Sequence, residues 1–170
     1  VRSMHGGTFG IYGLGYVGRA AARKARGLGM DVIAHDPYLP VDLFDALEVE
    51  RVGFDALLRR SDCVSIHTPL TEETHQRFST AEFAQMADDA VLVNTARGPI
   101  VDVEALVAAV EEGALFAAGL DNFEVEPPVD SPALACDRIV CSPHHGSADP
   151  ACDAVKTTIL CDELERLLQG

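Results

Sequence analysis

Gly10-Ile11-Tyr12-Gly13-Leu14-Gly15-Tyr16-Val17-Gly18 is a short apolar run that breaks into glycines spaced G-x-G-x-x-G. Thr8 to Tyr12 reads as a buried strand and Gly13 as the residue that turns the chain. Gly15 is then bare backbone that a phosphate can approach, and Gly18 lets the following helix pack close against the strand. The first amides of that helix have no partner within it, which makes its N-terminus an anion site. Glycines meet such a spacing by chance, and a plain tight turn accounts for the pattern taken alone. The flanking sequence raises the first reading. A helical pattern follows at once (Val17, Ala21, Ala25, Leu28), then Gly29, then a second apolar strand, Asp31 to His35, ending in Asp36. An acid about twenty residues past the first glycine stands where a dinucleotide's ribose is held. The unit therefore reads as dinucleotide-binding, with a ligand-free βαβ unit as the alternative.

The rest of the chain repeats the alternation. Pro37 and Pro40 mark a loop, Val49 to Val52 a short strand, and Phe54 to Arg60 a short helix with Phe54, Leu57 and Leu58 inward. Cys63 to His67 is a fourth strand, closed by Thr68-Pro69, and Ser79 with Glu82 forms a capping box for a helix through Met86. Ala90 to Asn94 is a fifth strand. Asp102 caps a helix whose Val103, Leu106, Val107 and Val110 share a face before Gly113 ends it. Phe116 to Leu120 and Ile139 to Cys141 supply two more strands, and Asp149-Pro150 opens a last helix carrying Val155, Ile159, Leu164 and Leu167. Strands apolar on both faces and alternating with helices require a parallel sheet covered on two sides. The expected fold is a doubly wound (Rossmann) α/β sheet of about seven strands, one domain over residues 1–170 with 1–7 as a leading segment.

Composition bounds the partners. The formal net charge is −14, with Lys24 and Lys156 the only lysines against 27 acidic residues, and such an acidic surface repels nucleic acid and anionic membrane. Either the protein is merely acidic or it is adapted to high salt. Cys63, Cys136, Cys141, Cys152 and Cys161 are odd in number and form no C-x-x-C pair, so they read as reduced thiols without a disulfide framework or a zinc site, and no metal is expected. No apolar run is long enough to span a bilayer, and Val1 to Gly7 lacks the pattern of a signal peptide, so the expected location is the cytoplasm.

Ligands of an open parallel sheet bind beyond the carboxyl ends of its strands. The suspicious polar residues all fall there: Asp36, Thr68, Thr95 to Arg97, Asp121, Glu126 and His144. His144 ends a strand within the glycine-containing turn Pro143-His144-His145-Gly146-Ser147 and is the candidate proton donor and acceptor. Glu126 can orient it and hold its protonated form, and Arg97 offers a planar fork for a carboxylate. Singly, each has a plainer reading as a surface histidine, a loop carboxylate or a structural ion-pairing arginine. His35, His67, His75 and His145 read as structural.

Taken together, six stretches resemble a known family in order and spacing. They are Gly13-Leu14-Gly15-Tyr16-Val17-Gly18, His35-Asp36-Pro37, His67-Thr68-Pro69-Leu70-Thr71, Asn94-Thr95-Ala96-Arg97-Gly98, Leu120 to Pro128 and Ser142-Pro143-His144. The family is the D-isomer-specific 2-hydroxyacid dehydrogenases, and the resemblance is to their nucleotide-binding domain. It implies catalytic positions at Arg97, Glu126 and His144. It implies NAD contacts at Gly13, Gly15, Tyr16, Val17, Gly18, Asp36, Thr68, Pro69, Thr74, Thr95, Ala96, Arg97, Asp121, His144, Gly146 and Ser147. Asn122 and His145 stand where the family usually has apolar residues.

The implied reaction moves a hydride between NAD(H) and a small D-2-hydroxy or 2-oxo acid, with proton transfer at His144. A formate dehydrogenase of the same fold needs no proton transfer, so the Glu126 and His144 pair speaks against that activity. An alternative from another class is an NAD(H)-sensing binding protein of the corepressor type. The resemblance also implies a homodimer, and a substrate-binding domain built from sequence that this chain does not contain. On that reading the chain holds the cofactor and, alone, turns over no substrate.

Overall fold

The computed structural model describes residues 3–146, 154, 158 and 161. Among these residues seven strands form one sheet: β1 (Thr8–Tyr12), β2 (Asp31–His35), β3 (Glu50–Arg51), β4 (Cys63–Ile66), β5 (Val91–Asn94), β6 (Ala117–Leu120) and β7 (Ile139–Cys141). Their order is β3-β2-β1-β4-β5-β6-β7 and every pairing is parallel. Parallel neighbours cannot be joined by hairpins, so each connection crosses a face of the sheet. The crossings carry α1 (Tyr16–Gly27), α2 (Val41–Ala46), α3 (Phe54–Arg60), α4 (Thr80–Phe83) and α5 (Val103–Glu112). The doubly wound α/β fold expected from the alternation is the fold observed.

Two buried clusters lie on the sheet. The larger gathers Leu57, Leu58, Val64, Phe78, Phe83, Leu92, Leu106 and Val110, and the smaller Ile11, Leu14, Ala22, Ala25, Val32 and Phe44. In α3 the three residues read as inward, Phe54, Leu57 and Leu58, are all buried. The Ser79 and Glu82 capping box is present, and Asp102 caps α5 by accepting from the Ala105 amide at 3.0 Å. Cys63, Cys136, Cys141 and Cys161 are free thiols, and burial pushes Cys63 up to about 11. No helix among the described residues is long and apolar enough to cross a membrane.

Three expectations need correction. The inward face of α1 is Gly18, Ala22 and Ala25, not the stripe through Val17 and Leu28, which are 63% and 55% exposed. Choosing the largest apolar side chains selects the wrong face, because this helix sits so close to the sheet that only small residues fit beneath it. The stretch read as loop after Pro40 contains α2, which spans six residues and buries only Phe44, too little for a helical period to show. The helix expected through Met86 ends at Phe83, although Met86 is itself buried. The helix expected from Asp149 lies outside the described residues.

The close approach of α1 makes a sharp stability test. A Cβ on Gly18 would lie 2.2 Å from the Gly13 carbonyl oxygen, whereas one on Gly27, in the same helix, meets nothing within 4 Å. Gly18→Ala should therefore cost about 1–3 kcal/mol by forcing backbone apart. Gly27→Ala should be neutral or stabilising by up to about 1 kcal/mol through helix propensity. Urea denaturation of the two variants beside the parent reads both.

Candidate functional site

The sheet order reverses between β1 and β4, where the connection leaving β1 runs one way and the one entering β4 arrives from the other. A cleft of about 570 Å³ opens there, walled by Gly13 and Gly15, by Asp36 and Tyr38, and by the loop from Thr68 to Thr74. Ligands of doubly wound sheets bind at this position. Gly13 turns the chain with φ of 95°, and Gly15, the N-cap of α1, has open space where its Cβ would be. A glycine N-cap offers no side chain to the helix amides, and the first turn of α1 contains no acid. Tyr16 and Val17 are exposed, at 91% and 63%.

Asp36 ties two walls together. Its Oδ2 accepts from the Leu14 amide at 2.9 Å and its Oδ1 from the Tyr38 amide at 3.1 Å. Across the cleft, Tyr38 donates its hydroxyl hydrogen to Glu73. Thr74 is turned inward: its hydroxyl donates to the Pro69 carbonyl at 2.8 Å and accepts from the Thr71 amide at 2.8 Å, fixing the Pro69 to Thr74 loop. Thr68 differs, because its hydroxyl oxygen is buried with no hydrogen-bond partner. His35 stacks on Tyr12 at 5.8 Å and His67 bonds Ser65, with burial holding His67 below the ordinary imidazole value. Both line the cleft, as well as packing structurally.

The second half of the site lies beyond β5, β6 and β7. Asn94, fully buried at the end of β5, accepts from the Ala96 amide at 3.0 Å and donates to the Arg97 carbonyl at 2.9 Å. Those bonds form the turn of Thr95, Ala96 and Arg97, in which Thr95 and Arg97 are exposed and Ala96 is buried. One guanidinium nitrogen of Arg97 donates to the Ala96 carbonyl at 2.6 Å. Gly98 then presses on the Phe123 backbone, where a Cβ would come within 2.2 Å of the carbonyl carbon, so the arginine's turn and the Glu126 loop are held side by side.

Glu126 and His144 are in direct contact, with His144 Nδ1 at 3.0 Å from Oε2 and 3.2 Å from Oε1. Glu126 Oε1 also accepts from the Phe123 amide at 3.1 Å. The His144 bond, then this amide, holds the Glu126 carboxyl below the ordinary glutamate value. His144 adopts φ of 54°, in the left-handed region that a β-carbon disfavours, so something must hold its turn. Asp121 does: Oδ1 accepts from Ser142 Oγ at 2.6 Å and the His145 amide at 2.8 Å, and Oδ2 from the Gly146 amide at 2.8 Å. Burial would raise the Asp121 carboxyl, but these bonds and the neighbouring His144 outweigh it and hold it below the ordinary value. Ser147 lies outside the described residues.

Asn94 and Ser142 escaped the residue-by-residue reading. A buried asparagine ending an apolar strand was the available signal for the first, while Ser142 had none short of the fold. Open backbone at Gly15, uncapped helix amides and an unpartnered hydroxyl at Thr68 fit a phosphate-bearing dinucleotide. The sequence family described as D-isomer specific 2-hydroxyacid dehydrogenase, NAD binding domain, matches residues 1–146. The chain belongs to this family.

Known members give the scale of the likeness. This NAD-binding domain is 44% identical over 146 residues to a glyoxylate reductase of Korarchaeum cryptofilum, covering 85% of this chain and 44% of the relative. It is 36% identical over 168 residues to a D-3-phosphoglycerate dehydrogenase of Methanocaldococcus jannaschii, covering 98% of this chain and 32% of the relative. The crystal structure of a glyoxylate reductase from Paecilomyes thermophila superposes with a TM-score of 0.89 at 37% identity, covering 96% of this chain and 50% of that one. The chain thus spans half or less of the length of these dehydrogenases. The matches give the corepressor alternative no support.

The depressed Glu126 carboxyl has a pH consequence. Its contribution is in place above the ordinary glutamate pKa and is lost as pH falls through the lowered one. Carboxyl-carbon NMR should find the Glu126 midpoint below that of an ordinary glutamate. In His144→Ala the midpoint should return upward, and a midpoint indifferent to that substitution would deny the pair.

Proposed function

We propose that this domain serves an NAD-dependent oxidoreductase that interconverts a small D-2-hydroxy acid and its 2-oxo acid. The observation that carries this reading is the Glu126 and His144 pair, held on a braced turn beside the loop that bears Arg97. A bound nicotinamide supplies the hydride for reduction and accepts it for oxidation. With Nδ1 turned to Glu126, the other ring nitrogen of His144 gives a proton to the substrate's carbonyl oxygen, or takes it back from the alcohol. Glu126 steadies the imidazolium for that step. Arg97 spends one of its five N–H donors on Ala96, and the remaining fork grips the substrate carboxylate. Glyoxylate and hydroxypyruvate are the first acids to try, since several relatives are reductases of these two.

In the cofactor cleft, Gly13 and Gly15 with Tyr16, Val17 and Gly18 would receive the pyrophosphate, and Asp36 would hold the adenosine ribose. Thr68, Pro69 and Thr74 wall the cleft, while Thr95, Ala96, Asp121 and Gly146 would contact the nicotinamide end of the cofactor, together with Ser147 from beyond the described residues. The substrate-binding domain comes from sequence outside residues 1–170, and the complete enzyme is a cytoplasmic homodimer.

The lining of the cleft sets the cofactor preference. Among the described residues it includes Asp36, Glu72 and Glu73 and no arginine or lysine, so a 2'-phosphate would meet like charge. Titration should show NADH binding more tightly than NADPH, and equal affinities would remove Asp36 from the ribose site.

Catalysis is tested by calorimetry with NADH beside an absorbance assay with glyoxylate or hydroxypyruvate. Residues 1–170 alone should bind NADH yet turn over at least about a thousandfold more slowly than a protein carrying both domains, because an open site screens its charges and fixes no reactive geometry. In the two-domain protein, His144→Ala should lower kcat by roughly a hundredfold or more, the usual loss with a general acid. Near-normal turnover without the imidazole would refute the mechanism.

A further inference from the structure

The glycine turn is held by a side chain that the dinucleotide fingerprint does not include. Arg19 Nε donates to the Leu14 carbonyl at 3.0 Å, while its own amide donates to the Gly15 carbonyl at 2.9 Å. That amide bond is the first of the helix, so the four amides before it, Gly15 to Gly18, have no acceptor inside α1. A peptide unit is planar and trans, with its carbonyl and amide pointing in opposite directions. Fixing the Leu14 oxygen therefore also fixes the direction of the Gly15 N–H. The preceding peptide is fixed as well, because the Leu14 amide donates to Asp36 and the Gly13 oxygen is wedged against Gly18. The Leu14 side chain is fully buried and anchors the turn from below. The guanidinium also lies 5.8 Å from the centre of the Tyr16 ring, at the opening of the helix.

We propose that Arg19 is a positioning residue for the cofactor's pyrophosphate, holding the Leu14–Gly15 peptide so that the amides of Gly15 to Gly18 are presented to the phosphates. Its positive charge satisfies a carbonyl that would otherwise be free to turn toward the anion, and it stands in a helix whose first turn carries no acid. A guanidinium suits the task because its stem packs along the helix while the head reaches back over one turn. The proposal rests on the NAD-binding reading, and wild-type binding of NADH is the control that separates failure of the one from failure of the other.

The test compares wild type, Arg19→Met and Arg19→Lys by calorimetry with NADH, ADP-ribose and adenosine. Met keeps the apolar stem and removes every donor, whereas Lys keeps a single charged donor. Arg19→Met should weaken NADH and ADP-ribose by about tenfold, the scale of one lost hydrogen bond to a charged group. Adenosine, which has no phosphate, should bind as to wild type, and Arg19→Lys should recover most of the loss. In the ligand-free protein, NMR order parameters of the Gly15 to Gly18 amides should fall in the Met variant and not in the Lys variant. Undiminished ADP-ribose affinity, equal losses for adenosine and ADP-ribose, or amides that stay rigid in the Met variant would each overturn the proposal. Should the Met variant not fold, Arg19→Leu, which also lacks a donor, takes its place with the same outcomes.

Discussion

The structure depends on the closeness of one helix to one strand. Gly18 rests against the Gly13 carbonyl at a distance that leaves no room for a side-chain carbon. That closeness puts Ala22 and Ala25 onto the sheet and sets the opening of α1 above β1, which lies between β2 and β4 where the strand order reverses. Had this helix packed through leucine-sized residues, its axis would stand further from the sheet and its first amides would no longer overlook the cleft. A packing constraint among small residues thereby determines where an anion can be held.

The two halves of the site are built by different means. The half at the strand reversal is largely backbone, shaped by glycines and tied by Asp36. The half beyond β5 to β7 depends on side chains that act on other side chains. Asn94 shapes the turn that carries Arg97, and Asp121 shapes the turn that carries His144. Both are buried and polar, and each unmade bond there would leave a group desolvated without a partner, at about 1–3 kcal/mol apiece. Burial of such groups is justified by what they hold in place.

Much of this was legible beforehand because the signals are local. Alternating apolar runs, the capping box at Ser79 and the cap at Asp102 require only neighbouring residues, and the strands fell within a residue or two of their observed ends. Polar residues at strand ends could be sorted to one edge of the sheet as soon as the sheet was known to be parallel. What escaped was relational. That α1 would turn its small residues inward follows from the Gly18 contact, and that Asp121 would spend its carboxylate on Ser142, His145 and Gly146 follows from pairing β6 beside β7. Neither is carried by any single stretch. The short α2 escaped for a simpler reason, since Phe44 alone marks its buried side.

The ties across the site differ in how long they last. Tyr38 and Glu73 join the outer walls of the cofactor cleft through a hydrogen bond at a tyrosine that is 76% exposed. Water competes for both partners, and side chains so exposed exchange rotamers in picoseconds to nanoseconds. Asp121 is 6% exposed, and its three bonds cannot open without displacing the turn after β7. The Tyr38 and Glu73 tie can therefore break and re-form in water without disturbing the bonds that hold the His144 turn. The rim of the cleft is thus tied where solvent reaches it and the His144 turn where solvent does not, so acidity, salt or denaturant would loosen the rim first.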